Sequence, residues 1–145
     1  MLTGRFLDYV AAYERCYADD DWLRLEPFFR EDAVHEVSGG PPLGGRWEGR
    51  RTLIHRLRER AATFERRFDQ RIVRPRGLPV QMGDTVALPW RGIYRLDGAL
   101  AAPLAIEGTQ VASFAGDRIE LLRDQLRPGT DRLIRNFLSR HALRD

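Results

Sequence analysis

The chain contains no lysine: all 24 of its basic residues are arginine. Against 21 acidic residues they leave a net charge of +3 and an isoelectric point near 9.6. A basic balance points to nucleic acid only where the cations gather into a patch or a motif. Here they are scattered, and the missing lysine reads as coding bias toward arginine, so no nucleic-acid partner is expected. The densest stretch, Arg46 to Arg60, also carries Glu48 and Glu59 and predicts a solvated helix face.

Cysteine is nearly as scarce. Cys16 is alone, which excludes an intrachain disulfide and a cysteine-rich metal cluster, and its setting in a helix predicts a packed thiol. The three histidines, His35, His55 and His141, are far apart and show no metal-binding spacing, so no metal site is expected. No apolar run approaches the roughly 20 residues of a membrane helix. The first ten residues lack a cationic stretch followed by an apolar one, which predicts no signal peptide and a cytoplasmic protein. Gly39-Gly40 and Gly44-Gly45 lie in a proline-bearing loop and not in a phosphate cradle. No cofactor is expected.

What is present is the balance of a globular protein, 43% hydrophobic and 31% charged over 145 residues, the size of one domain spanning 1–145. Phe6, Tyr9, Val10, Tyr13, Cys16 and Tyr17 recur at three- and four-residue steps, predicting a helix over 4–17 with Thr3 as its cap. Asp19 to Asp21 open a second helix, buried through Trp22, Leu25, Phe28 and Phe29 and broken at Pro27. A short strand over 33–37 and a glycine-rich loop over 38–49 precede a long helix over 50–68, with Leu53, Leu57, Ala61, Phe64 and Phe68 inward.

After Asp69 the pattern changes to strands over 71–73, 80–82, 85–96, 104–114 and 118–126, separated by turn signals such as Gly83-Asp84 and Gly116-Asp117. Pro89, Gly92 and Gly108 within the long strands predict bends. An amphipathic helix over 131–144 follows, apolar through Leu133, Ile134, Phe137 and Leu138. Three helices interrupted by one strand, then a meander and a last helix, is an α+β layout with a strongly curved, mainly antiparallel sheet.

Three local motifs sharpen this. Phe28-Phe29-Arg30-Glu31-Asp32-Ala33-Val34 enters the first strand, Gly49-Arg50 opens the long helix, and Gly116-Asp117-Arg118-Ile119 turns into a last strand bearing Arg123-Asp124. Their order resembles the nuclear transport factor two-like superfamily, which includes SnoaL-like polyketide cyclases, ketosteroid isomerases and limonene epoxide hydrolases. The resemblance implies a cone-shaped sheet wrapped around the helices, with an apolar pocket at its open end. It implies no single activity.

Strand alternation puts Leu122, Asp124 and Leu126 on one face. A carboxyl group among leucines in a pocket is suited to giving or taking a proton near neutrality. Comparison with the epoxide hydrolases aligns Arg91 and Asp124 with that family's arginine and acid, but its second aspartate falls on Ile93, and its tyrosine and asparagine on His35 and Val37. Comparison with the ketosteroid isomerases puts Val37 at the base and Gln110 at the oxyanion-hole acid. The SnoaL-like cyclases match at Asp124 without such losses.

The candidate catalytic set is therefore Asp124, Arg91 and His35. The expected substrate contacts are Tyr13, Tyr17, Gln110, Ile93, Val37, Ile106, Leu122 and Leu126. Each has a structural alternative: Asp124 and Arg91 as an ion pair across strands, His35 as a satisfied strand histidine, the tyrosines as core residues. Placing Arg91 inward assigns Trp90 and Tyr94 to an outer face covered by a second subunit, although Val86, Leu88, Trp90 and Leu96 make that face the more apolar one.

The function these residues suggest is acid/base chemistry without a cofactor on a small hydrophobic, oxygenated metabolite: cyclisation, isomerisation, dehydration or epoxide hydrolysis. The alternatives are a non-catalytic binder of such a molecule and a homodimeric interaction module.

Overall fold

The computed structural model describes residues 1–96 and 102–141. Helix α1 (Leu2–Asp19) opens the chain and buries Phe6, Tyr9, Ala12 and Cys16 at the expected helical spacing. It begins at Leu2 with no side-chain cap, so Thr3 lies inside the helix and does not cap it. The expected second helix is a 3-10 segment (Trp22–Phe28) that buries Trp22 and Leu25. Pro27 supplies no backbone N–H, and the chain turns directly into strand β1 (Phe29–Val37).

The glycine-rich stretch is not all loop. Gly45–Glu48 forms β2, a short antiparallel partner of β1. Helix α2 (Arg50–Thr63) buries Leu53, Ile54, Leu57 and Ala61, and ends earlier than its periodicity predicts, passing into a 3-10 turn (Glu65–Arg67). The strands β3 (Gln70–Pro75), β4 (Val80–Met82), β5 (Thr85–Arg95), β6 (Leu104–Ala115) and β7 (Arg118–Leu126) follow, then α3 (Thr130–Arg140). The predicted turn at Asp97-Gly98 and the predicted helix end over 142–144 lie outside the described residues.

The sheet runs β2-β1-β7-β6-β5-β3, with β4 added beside β5. All pairings are antiparallel except β1 with β7, so the sheet is mixed: β1 pairs with β2 on one side and docks parallel beside the last strand on the other. Register shifts in the β1–β7 and β6–β7 pairings mark where it bends.

Two apolar clusters fill the concave side. One joins α1 and α2 to the sheet through residues such as Phe6, Tyr9, Leu53, Phe29, Val86 and Leu122. The other gathers Phe64, Phe68, Tyr94, Leu104, Ile106 and the buried side of α3. Among the described residues, no helix is long and apolar enough to cross a membrane.

Strand β5 shows how inner and outer faces are assigned. Val86, Leu88 and Tyr94 are buried while Arg91 and Arg95 are exposed, so the apolar face is the inner one. Tyr94 folds its ring back over Gly92, where an added Cβ would stand 2.8 Å from the ring. Gly92→Ala is therefore expected to displace that ring from its packing against Phe64 and Phe68. The cost should be about 1–3 kcal/mol of stability, read as a lower midpoint in urea unfolding.

Candidate functional site

A cavity of about 330 Å³ lies between the two apolar clusters. Leu88, Trp90 and Tyr94 of β5, Val37 of β1, Leu126 of β7, Phe64 and Tyr9 give it mostly apolar walls. Leu7 on α1 and Arg74 and Pro75 on β3 are exposed and stand at its rim.

Asp124 sits in the wall of this cavity, 4% exposed. Its neighbours arrive from three elements. Gln110, its Cα partner on β6, donates from Nε2 to Oδ1 at 2.9 Å. Arg60, from the last turn of α2, brings a guanidinium nitrogen to 3.5 Å from Oδ2. His35 on β1 places Nε2 3.9 Å from Oδ2, beyond hydrogen-bond reach.

The polar floor continues away from Asp124. Arg60 donates to the Tyr13 hydroxyl at 3.4 Å, and that hydroxyl donates to Glu65 Oε2, also at 3.4 Å. Arg71 then joins Glu65 to Glu14, with nitrogen–oxygen distances of 3.4 and 3.1 Å. Burial opposes charge on Arg60, but Tyr13, Asp124 and Glu65 outweigh it and hold the guanidinium firmly protonated. Burial, with Glu65 adding to it, pushes the Tyr13 phenol up to about 12, so its hydroxyl stays a donor.

Several expectations change. Arg91 does not meet Asp124: it is 51% exposed on the outer face, with Nε 3.6 Å from Glu107. Ile93 shares that outer face and does not line the cavity, whereas Trp90 and Tyr94, assigned above to the outer face, do. The period of two in β5 decides this, because four apolar side chains take the inner positions and send Arg91 out. Tyr17 lies outside the cavity, with the guanidinium groups of Arg66 and Arg71 over its ring. Ile106 and Leu122 are fully buried in the two clusters and do not line this cavity. Tyr13, Gln110, Val37 and Leu126 line it as expected.

Arg46 to Arg60 is not simply a solvated face either. Arg56 and Arg60 turn inward, Arg56 lying over Trp47 at 4.4 Å. Arg60 and Glu65 are the site residues that periodicity alone passes over. Arg60 falls three positions after Leu57 and four before Phe64, so it lies on the buried stripe of α2, and that was the available signal. Leu133 is exposed and Phe137 packs on Phe68, so α3 does not close the cavity with either residue.

His35 is sealed from solvent at 0% exposure and does not line the cavity. Its ring stacks on Trp47, and Nδ1 lies 3.2 Å from the Leu122 carbonyl oxygen, so Nδ1 carries the proton and donates. Desolvation pulls its pKa down to about 4 despite the opposing attraction of Asp124, which makes it a neutral ring near neutrality. The unfolded chain takes up this proton near pH 6.5 and the folded chain only near pH 4. The contribution of neutral His35 is therefore intact above about pH 6.5 and lost as pH falls toward 4, about 3 kcal/mol in all. Urea unfolding of His35→Phe should show that much less loss of stability between pH 6.5 and 4 than the parent; parallel profiles would mean that the ring is accessible to protons.

The family model of the SnoaL-like domain matches residues 10–121. Curated proteins give no match. Solved structures give many. A nuclear transport factor two-like protein from Burkholderia xenovorans superposes with a TM-score of 0.64 at 14% identity, covering 89% of this chain and 94% of its own. A protein of ketosteroid isomerase-like fold from Catenulispora acidiphila, in complex with trimethylamine, gives 0.63 at 16% identity, covering 94% and 93%. TerC co-crystallised with polyporic acid gives 0.62 at 13% identity, covering 96% and 97%. At these identities the likeness is one of fold.

Proposed function

Because the chain belongs to the SnoaL-like domain family, within the nuclear transport factor two-like superfamily, we propose that it is a cofactor-independent acid/base enzyme acting on a small hydrophobic ketone. The observation that carries this reading is the placement of Asp124, a buried carboxyl in the wall of a mostly apolar cavity of ligand size. Neighbours of the same fold were crystallised with polyporic acid and with trimethylamine, which supports a small organic ligand.

In this reading the carbon beside the substrate carbonyl faces Asp124. The carboxylate takes a proton from that carbon, and the released electron pair moves onto the carbonyl oxygen. Tyr13 and Arg60 are the donors for that oxygen, since Tyr13 keeps its proton and its existing contacts are long. Gln110 fixes the carboxylate through Oδ1. Return of the proton to a different carbon gives isomerisation; attack of the enolate carbon on a second carbonyl, whose oxygen then takes the proton held by Asp124, gives an aldol-type cyclisation. His35 takes no direct part, being outside the cavity.

The test is deuterium uptake from heavy water at the carbon beside the carbonyl of 2-tetralone, followed by proton NMR. The parent protein should exchange well above the buffer rate. Asp124→Asn should lower the rate about 100-fold or more, with binding still visible as quenching of tryptophan fluorescence. Binding of the ketone without exchange by the parent would instead support a non-catalytic pocket for a hydrophobic ligand, a reading favoured by the full pairing of Asp124 with Gln110 and Arg60.

The outer face of the sheet is where we place a second copy of the chain. Ile72 and Ile93 are paired there across β3 and β5 and remain half-buried in a single chain. Sedimentation equilibrium should find a dimer, and Ile93→Arg should shift it to monomer; a monomeric parent would end this assignment.

A further inference from the structure

We propose that a small cavity behind Arg60 binds one small monovalent anion of chloride or bromide size. The cavity measures about 30 Å³ and is lined by Arg56, Arg60 and Arg67 together with Pro42, Leu43, Thr63 and Phe64. Leu43, Arg60 and Phe64 line the main cavity as well, so they form the partition between the two.

Three donors on these arginines are buried without a partner: Arg56 Nε, Arg60 Nε and one terminal nitrogen of Arg67. The remaining guanidinium contacts face elsewhere. Arg56 donates to the Pro42 carbonyl at 2.9 Å and touches Glu59 at 3.5 Å. Arg60 is held by Asp124 and Tyr13 from the side of the main cavity. No acidic side chain among the described residues pairs with Arg67. The side chains of Arg56 and Arg60 are 12% and 14% exposed, so bulk water does little to screen them.

The electrostatics agree with the geometry. Burial, and next the charge of Arg60, push the Arg56 guanidinium below its usual basicity. Water in the cavity would accept hydrogen bonds but leave the like charges facing one another. An anion does both: it accepts from several N–H groups and cancels repulsion. Size selects the kind of anion. At roughly 10–15 Å³ per water the space holds about two waters or one monatomic anion.

The test is independent of turnover. At constant ionic strength, sodium chloride replaces sodium gluconate stepwise and Tm is followed. Above the dissociation constant, each tenfold increase in chloride should raise Tm by about 3–5 °C. Arg67→Gln, which removes one wall cation, should flatten that dependence. Equal Tm values in chloride and gluconate, or an unchanged chloride dependence in Arg67→Gln, would overturn the proposal. Should the variant fail to fold, crystals of the parent grown in sodium bromide decide the matter: an anomalous peak among the three arginines supports the site, and water alone there overturns it.

Discussion

The structure depends on holding a carboxyl group inside an apolar wall. Asp124 lies where β7 passes between the two clusters, and a charge in such a place costs several kcal/mol unless it is met by opposite charge and hydrogen bonds. Gln110 meets it along the sheet, and Arg60 meets it from α2. The contact with Arg60 crosses layers, so it fixes how the helix sits against the strands as well as the state of the carboxyl group. Removing Arg60 alone would leave an uncompensated buried acid, which is worse for stability than removing both partners.

That cross-layer origin explains which parts of the site were legible. Alternation along one strand was enough to place Asp124 inward with Leu122 and Leu126, and the resemblance to the ketosteroid isomerases pointed to Gln110, which pairs with it across β6 and β7. The element order and the local motifs carried the fold. The partner arginine was another matter. Arg91, chosen by comparison with the epoxide hydrolases, stands two strands from Asp124 in the sheet, and its side chain shares a face with Ile93 and not with Trp90. The more apolar face of β5, with Val86, Leu88, Trp90 and Tyr94, takes the interior, and Arg91 goes to Glu107 outside. Arg60 becomes visible only by noticing that a cation interrupts the buried stripe of α2. Contacts between layers carry no short-range sequence signal, which is also why Glu65 was missed.

An arginine-only set of cations shapes the interior. A guanidinium has five N–H donors in a rigid fork, and one carboxylate can occupy only two or three of them. Arg71 manages this by standing between Glu14 and Glu65, with its flat face over Tyr17. Arg56 does it with two backbone carbonyls and the face of Trp47. Each solution fixes its arginine in orientation as well as position. The tyrosines and Trp47 therefore serve the arginines as much as the apolar core.

The leftover donors arise where this strategy runs short of acceptors. Arg60 is common to the main cavity and to the smaller one, so its orientation is set by Asp124 and Tyr13 on one side and by whatever occupies the arginine-lined space on the other. An anion there attracts Arg60 away from the carboxyl group, while an empty or watered space lets Asp124 hold it fully. The two cavities are thus coupled through one guanidinium, and the strength of the Asp124 contact is a property of both.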